Sequence, residues 1–408
     1  MKNLFTSISL FALLSFGSVA ADLPLTEGEA LRLGLGRQGI ADVARGRVGL
    51  AQADVTEAGL MPNPTLDYKH DRTSGSSTKR EQAFHLQQSF DIAGRRGLRR
   101  EAAELRVQAV QGEIEARHLE LAAEIRRHFH EVLLRQNLIQ ATQAWSDRFA
   151  RIESIVTKLA RGGEVSGYDR RRLSRERVVA QVRLDTEHAE LERAREQLWG
   201  LLGGGNGIAQ HRILAGTLLP ATPLPIDALR HRLKARPGLK ALEERAAAAD
   251  IEGRAAGRGW IPDVTLGIGP KRVDDGAIRE TGVALSIAIP LPIFDRQQAG
   301  GQRAASQAMI ARGEYALVLA RAEGDLRGLW KQTERLRTAA TEFRARSMAT
   351  SAELTRIAEA AYRAGESTLL ELLDAYKGAL EAETLALDLE WKSRLARIEL
   401  DQLTGVAQ

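Results

Sequence analysis

The prolines of this 408-residue chain are confined to three places, and that confinement limits what the rest can become. All 11 fall at Pro24, at Pro62 and Pro64, or between Pro220 and Pro292, so residues 65–219 and 293–408 contain none. A proline inside a helix costs roughly 3 kcal/mol, because it lacks the N–H and its ring meets the preceding turn. Both tracts are therefore open to helices far longer than the three or four turns usual in globular proteins. Their apolar spacing fits: Ile152, Ile155, Val156 and Leu159 recur at i, i+3, i+4 and i+7, and Leu184, Leu191 and Leu198 lie seven apart. Leu373, Tyr376, Leu380, Leu387, Trp391, Leu395 and Ile398 follow near heptad spacing. Helices are expected over 97–161, 165–202, 297–363 and 366–404, the first about 100 Å long at 1.5 Å per residue. The first pair turns at Arg161-Gly162-Gly163-Glu164.

Shorter helices are expected over 38–60 and 238–257, each leading into a pair of short strands. In the second half Val283, Leu285, Ile287, Ile289 and Leu291 alternate with Ala284, Ser286, Ala288 and Pro290, the period of a half-buried strand. Its expected partner carries Val264, Leu266 and Ile268 across a loop Lys271–Glu280. The first half places Phe84, Leu86, Phe90 and Ile92 in the equivalent strand, after a Ser/Thr/Gly-rich loop Asp71–Gln82.

The halves match each other. Ile261-Pro262-Asp263-Val264-Thr265-Leu266 echoes Met61-Pro62-Asn63-Pro64-Thr65-Leu66, Ala364-Gly365-Glu366 echoes Gly162-Gly163-Glu164, and Leu403-Thr404-Gly405 echoes Leu201-Leu202-Gly203. Ordered matches at a nearly constant offset of about 200 residues indicate duplication. The expected organisation is a signal peptide over 1–20, one repeat over 21–205, a linker over 206–224 and a second repeat over 225–408. Lys2, the apolar run Leu4 to Phe16 and the small-x-small site Ser18-Val19-Ala20 come in the order of a secretory signal. With no cysteine in the chain, the exported product is expected to carry no lipid anchor.

Composition excludes several functions. Without cysteine there are no disulfides, thiolate metal sites or cysteine nucleophiles. A net charge of +5 on 58 basic and 53 acidic side chains gives no reason to expect nucleic-acid binding. After residue 20 no run of about 18 apolar residues is long enough for a membrane helix. Gly34-Leu35-Gly36-Arg37-Gln38-Gly39 matches a dinucleotide-binding pattern, but it lies between helices with no strand before it. His128 and His130 stand about 200° apart on a helix and cannot share a ligand face. The eight histidines show no metal-ligand spacing and read as ordinary surface or lumen side chains, with proximity of His70 and His85 left open. No catalytic constellation, cofactor site or metal site is expected.

Strand pairs with apolar side chains, joined to such long helices, point to a β-type membrane protein, although the helices alone also fit a soluble bundle. Four strands cannot close a membrane barrel, for which about eight are needed, and lipid tolerates no open edge. Further copies of the chain would complete it, two giving eight strands and three giving twelve.

Gly59-Leu60-Met61-Pro62-Asn63-Pro64-Thr65-Leu66, Gly94-Arg95-Arg96-Gly97, Pro290-Leu291-Pro292-Ile293-Phe294-Asp295-Arg296 and the stretch Tyr362-Arg363-Ala364-Gly365-Glu366 to Leu370-Glu371-Leu372-Leu373-Asp374 resemble the TolC-like outer-membrane efflux factors, most closely their CzcC-like heavy-metal branch. The resemblance spans nearly the whole mature chain. It implies a mainly α fold with a membrane β part, built from two tandem repeats of two β-strands plus a long α-helical hairpin. It implies a homotrimer with a 12-stranded outer-membrane β-barrel and a periplasmic α-barrel. Implied partners are a periplasmic adaptor, an inner-membrane resistance-nodulation-division pump and outer-membrane lipid. The function implied is a passive exit duct for heavy-metal cations of the cobalt, zinc and cadmium type. Drug or type I protein export through the same architecture, and a soluble periplasmic coiled-coil scaffold or adaptor, are the alternatives.

The resemblance places aperture-closing acidic residues at Glu371 and Asp374, which share a helical face just after the Gly365 turn. Favourable charge at a helix N-terminus is the simpler reading. In the first half Asp169 falls opposite Glu371 and Arg172 opposite Asp374, within a basic cluster of Arg170, Arg171, Arg172 and Arg175. The turns Gly162, Gly163, Glu164 and Gly365, Glu366, Ser367 are the expected adaptor contacts. Leu266, Ile268, Val283, Leu285, Ile287, Ile289, Phe84 and Leu86 are the expected membrane-facing strand positions.

Overall fold

The structure, a computed structural model, describes residues 24–75, 78–161, 166–204 and 212–406. The expected signal peptide and the turn residues Gly162, Gly163 and Glu164 lie outside them. The element order runs α, α, β, β, α, α twice. The first series is α1 (Glu27–Leu35), α2 (Gln38–Gly59), β1 (Thr65–Ser74), β2 (Thr78–Phe90), α3 (Arg95–Arg161) and α4 (Gly167–Leu202). The second is α5 (Ile226–Lys234), α6 (Pro237–Gly257), β3 (Val264–Asp274), β4 (Arg279–Ala288), α7 (Gln298–Ala364) and α8 (Leu369–Thr404). α3 and α7 are each 67 residues long, and α4 and α8 each 36. At 1.5 Å per residue the longer pair spans about 100 Å.

The long helices keep close to their expected limits because proline is absent inside them and glycine stops them. Gly365 takes φ +74°, a left-handed value that favours glycine. Glu366 N–H reaches back to Ala361 O at 2.9 Å and Gly365 N–H to Tyr362 O at 3.2 Å, a Schellman closure of α7. α4 and α8 end the same way at Gly203 (φ +106°) and Gly405 (φ +68°). The sequence reading gave no bounds for α1, expected only as a helix before Gly34, and did not anticipate α5. Each has only nine residues and stands close to a proline, too short for periodicity to mark.

The strands form one antiparallel sheet in the order β1-β2-β3-β4. Here two sequence expectations need correction. The loops expected at Asp71–Gln82 and Lys271–Glu280 are mostly strand, and pairing continues to Ser74↔Thr78 and Asp274↔Arg279. The apolar alternation stops before the strands do, because backbone pairing persists where side chains turn charged. Glu81 bridges Lys79 at 2.9 Å and Lys271 at 2.6 Å, and Asp274 holds Arg279 at 3.1 Å. β4 also stops at Ala288, short of Ile289 and Leu291, where Pro290 removes a ladder donor.

The chain divides into two compact units. One comprises Met1–Gly34, Glu124–Pro220 and Leu336–Arg394. Its core gathers Trp145, Phe149, Ile152, Val156, Leu173, Leu372, Leu373 and Tyr376 from α3, α4 and α8. The other comprises Leu35–Ala123, Ala221–Arg335 and Leu395–Gln408, and it holds the whole sheet. There Leu229 and Leu233 of α5 pack with Ala322, Leu326 and Leu400, while Ala102, Ala248 and Ile251 form a second contact. Among the described residues no helix is long and apolar enough to cross a membrane, which leaves the β-sheet unaddressed.

Candidate functional site

The sheet is built so that one face cannot be satisfied by its own chain. Leu66 pairs with Leu86, Leu86 with Ile268 and Ile268 with Leu285, so these four side chains form one row. Tyr68 and Phe84, then Pro270 and Val283, continue the same face on one side, and Leu266 with Ile287 on the other. These side chains are exposed, Leu285 to 77% and Val283 to 72%. An apolar surface of this extent marks a non-aqueous partner. The opposite face carries Asp67, Lys69, Glu81, His85, Gln87, Lys271 and Ser286, which alternate with the apolar positions. Gly269 sits where a Cβ would lie 1.7 Å from the Phe84 carbonyl oxygen, so close approach of β2 and β3 requires glycine there. β1 and β4 each keep one unpaired edge. Apolar-out, polar-in alternation with open edges is the pattern of one segment of a transmembrane barrel.

The residues expected at the aperture lie near the hairpin turns, and two of them cap helices. Thr368 caps α8. The Glu371 carboxylate accepts from Thr368 N at 2.8 Å while Glu371 N–H donates to Thr368 Oγ1 at 3.3 Å. At α4 Asp169 N–H likewise donates to Ser166 Oγ at 3.1 Å, but it is the Ser166 hydroxyl, not its N–H, that donates to Asp169 Oδ2 at 2.7 Å. The first is a capping box and the second a serine N-cap, and the spacings Thr368-x-x-Glu371 and Ser166-x-x-Asp169 are readable in the sequence. Asp374 is exposed and makes no ion pair among the described residues, and Arg172 is half-buried. Of the basic cluster, Arg175 is committed to the buried Glu176, which Lys377 also holds at 3.0 Å. Burial pushes the Glu176 carboxyl up, but the bonds from Arg175 and Lys377 outweigh it and hold its pKa below the usual value. Glu366 and Ser367 form the turn between α7 and α8.

One expectation about histidine fails. His130 is not a surface or lumen side chain but is buried at 1% exposure. Its Nε2 lies 2.9 Å from Glu27 of α1, and Arg126 Nε lies 2.5 Å from the same carboxylate. Burial opposes ionisation of Glu27, yet His130 and Arg126 bring its pKa down to about 2. Burial lowers the pKa of His130 despite the bond to Glu27. His85 pairs with Asp67 and His70 with Gln82, so the strand histidines stand three positions apart. Among the described residues no group of three potential ligands could hold a metal.

The sequence reading also missed how residues 212–224 are fastened. Leu25 forms a parallel bridge with Leu214, and Arg212 clasps Glu29 at 2.8 Å. The buried Arg394 donates to the carbonyls of Thr217, Leu218 and Leu219 at 2.7, 2.9 and 3.0 Å. Arg337 donates to Pro220 O, and Trp330 Nε1 to Leu224 O. Single arginines inside a helix carry no local signal of such distant partners.

Residues 228–406 match the family described as Outer membrane efflux protein. The likeness to known proteins extends beyond these residues. The chain is 27% identical to the cobalt-zinc-cadmium resistance protein CzcC of Cupriavidus metallidurans over 391 residues, 94% of this chain and 90% of that protein. A membrane protein from Pseudomonas aeruginosa matches with a TM-score of 0.77 at 17% identity, covering 93% of this chain and 90% of that one. CusC, solved in a study of its folding and transmembrane channel formation, matches with a TM-score of 0.75 at 17% identity, covering 96% and 95%. The chain thus has the fold of these structures, long helices joined to one small β-sheet.

Proposed function

We propose that this chain is the passive outer-membrane exit duct of a tripartite efflux system. It would act with a periplasmic adaptor and an inner-membrane resistance-nodulation-division pump. The observation that carries the proposal is the four-stranded sheet, apolar on one exposed face and unpaired at both edges. Three copies would give twelve strands, closing the edges that lipid does not tolerate. Each chain then supplies two tandem repeats, 21–205 and 225–408, after a signal peptide over 1–20 is removed. Equal helix lengths in the two series support that division.

At the helical end, Glu371, Asp374 and Asp169 would form carboxylate rings that favour cations, with Arg172 of the same turn region as their counter-charge. The turns Gly365, Glu366 and Ser367, with Gly162, Gly163 and Glu164, would receive the adaptor. Heavy-metal cations are the proposed substrate class, supported by the likeness to a cobalt-zinc-cadmium resistance protein. A duct needs no resident ligand site for its cargo, so specificity would rest with the pump. The test is deletion of the gene followed by growth on cobalt, zinc, cadmium, nickel and common drugs. Loss of metal tolerance alone is expected, and loss of drug tolerance alone would refute the metal assignment.

A further inference from the structure

The outward face of the sheet does not end with its apolar rows. Register is regular from end to end across all three strand pairs, so directly opposed residues share a face. Beyond Tyr68, Phe84 and Val283, the next row on that face is His70, Gln82, Arg272 and Thr281, and the last is Arg72, Arg80, Asp274 and Arg279. Four arginines therefore stand directly above the apolar band. All four are exposed. Only Arg279 is paired, to Asp274, the sole carboxylate of these two rows, while Arg72, Arg80 and Arg272 make no ion pair among the described residues. The inward face at the same height is different. There Glu81 is neutralised by Lys79 and Lys271.

Position along the strands adds direction. The ends that lead into helices are Thr65, Phe90, Val264 and Ala288, and the arginines lie at the turn ends, Ser74 to Thr78 and Asp274 to Arg279. If the sheet crosses a bilayer, as the proposed function requires, this belt sits at the interface away from the helices. Arginine is suited to that place. Its guanidinium forks onto phosphate oxygens in a bidentate way and sheds water more readily than an ammonium does.

We propose that Arg72, Arg80, Arg272 and Arg279 form an outward-facing belt that binds the phosphate groups of phosphorylated lipid headgroups in the outer leaflet, locking the barrel at a fixed depth. The charge complements an anionic headgroup layer, and the surface is continuous with the apolar face that meets the acyl chains. This inference rests on the membrane reading of the sheet.

The test uses the full-length assembled protein in detergent, titrated in native mass spectrometry with diphosphorylated lipid A, with its dephosphorylated form, and with inorganic phosphate. Insertion into phosphatidylcholine vesicles is measured in parallel. Tight retention of the phosphorylated lipid is expected, weakened roughly 100-fold in Arg72→Gln/Arg80→Gln/Arg272→Gln at about fivefold per arginine. The corresponding triple Arg→Lys variant should keep most of the binding, which separates charge from misfolding. Equal binding of phosphorylated and dephosphorylated lipid, an unaffected triple Gln variant, or displacement of the lipid by inorganic phosphate overturns the belt while leaving the channel reading intact. Failure to insert into any vesicle overturns both.

Discussion

Leu285→Arg separates a lipid-facing sheet from a water-facing one by the size of a single effect. Leu285 is 77% exposed in the chain and sits in the row Leu66, Leu86, Ile268, Leu285, with apolar rows on both sides. In water, a substitution at so open a site changes stability by no more than about 0.5 kcal/mol. Near the middle of a bilayer an outward arginine costs about 2–4 kcal/mol. Three copies in one closed barrel would carry about 6–12 kcal/mol together by that figure. Ser286→Arg is the control, because it adds the same side chain one residue along on the opposite face. The assay is denaturant unfolding of the assembled protein in phosphatidylcholine vesicles, followed by tryptophan fluorescence and by the heat-modifiable oligomer band. Leu285→Arg should abolish or strongly destabilise the inserted oligomer while Ser286→Arg leaves it near the native value. Equal behaviour of the two variants, or a loss below about 1 kcal/mol for Leu285→Arg, would refute a lipid-facing assignment.

Other expectations follow from single contacts. Glu27 ionises far more readily folded, at about 2 against 4.5, so its contribution is complete above pH 4.5 and fades as pH falls through 2, amounting to about 3 kcal/mol. His130, also lowered, adds loss in the same direction below its ordinary value of 6.5. Stability of the native protein should therefore drop steeply on acidification, and Glu27→Gln should flatten the low-pH part of that curve. Glu371→Gln keeps an acceptor for the Thr368 cap but removes the charge, whereas Glu371→Ala loses both at a cost of about 1 kcal/mol. Raised bilayer conductance and weaker cation preference in both variants, and in Asp374→Ala, would mark an electrostatic ring, and unchanged currents in Glu371→Gln and Asp374→Ala would exclude it. Arg394→Met strips three carbonyls of their donor and should cost about 3–5 kcal/mol, with protease cleavage appearing near residues 217–219.

Much of the architecture was legible because the strongest signals are negative ones. The absence of proline and the glycines at the turns delimit the long helices to within about three residues. The alternation around Leu285 marks the exposed apolar row directly. What escaped was non-local. The charged strand ends at Arg72, Arg80, Arg272 and Arg279 look like loop in sequence, since cross-strand pairing rather than apolar period keeps them extended. His130 was read as solvated because its burial depends on Glu27, more than 100 positions away. The clamp of Arg394 on residues 217–219 has the same character. Glu371 and Asp169 show the reverse case, a local capping spacing that was present but overshadowed by the aperture role the resemblance implies.

The central claim, that copies of this chain close one barrel between them, is tested most directly by the mass of the protein extracted from outer membranes in mild detergent. A particle of three processed chains that dissociates only on heating is expected. A soluble monomer, with no oligomer in the membrane fraction, would contradict it.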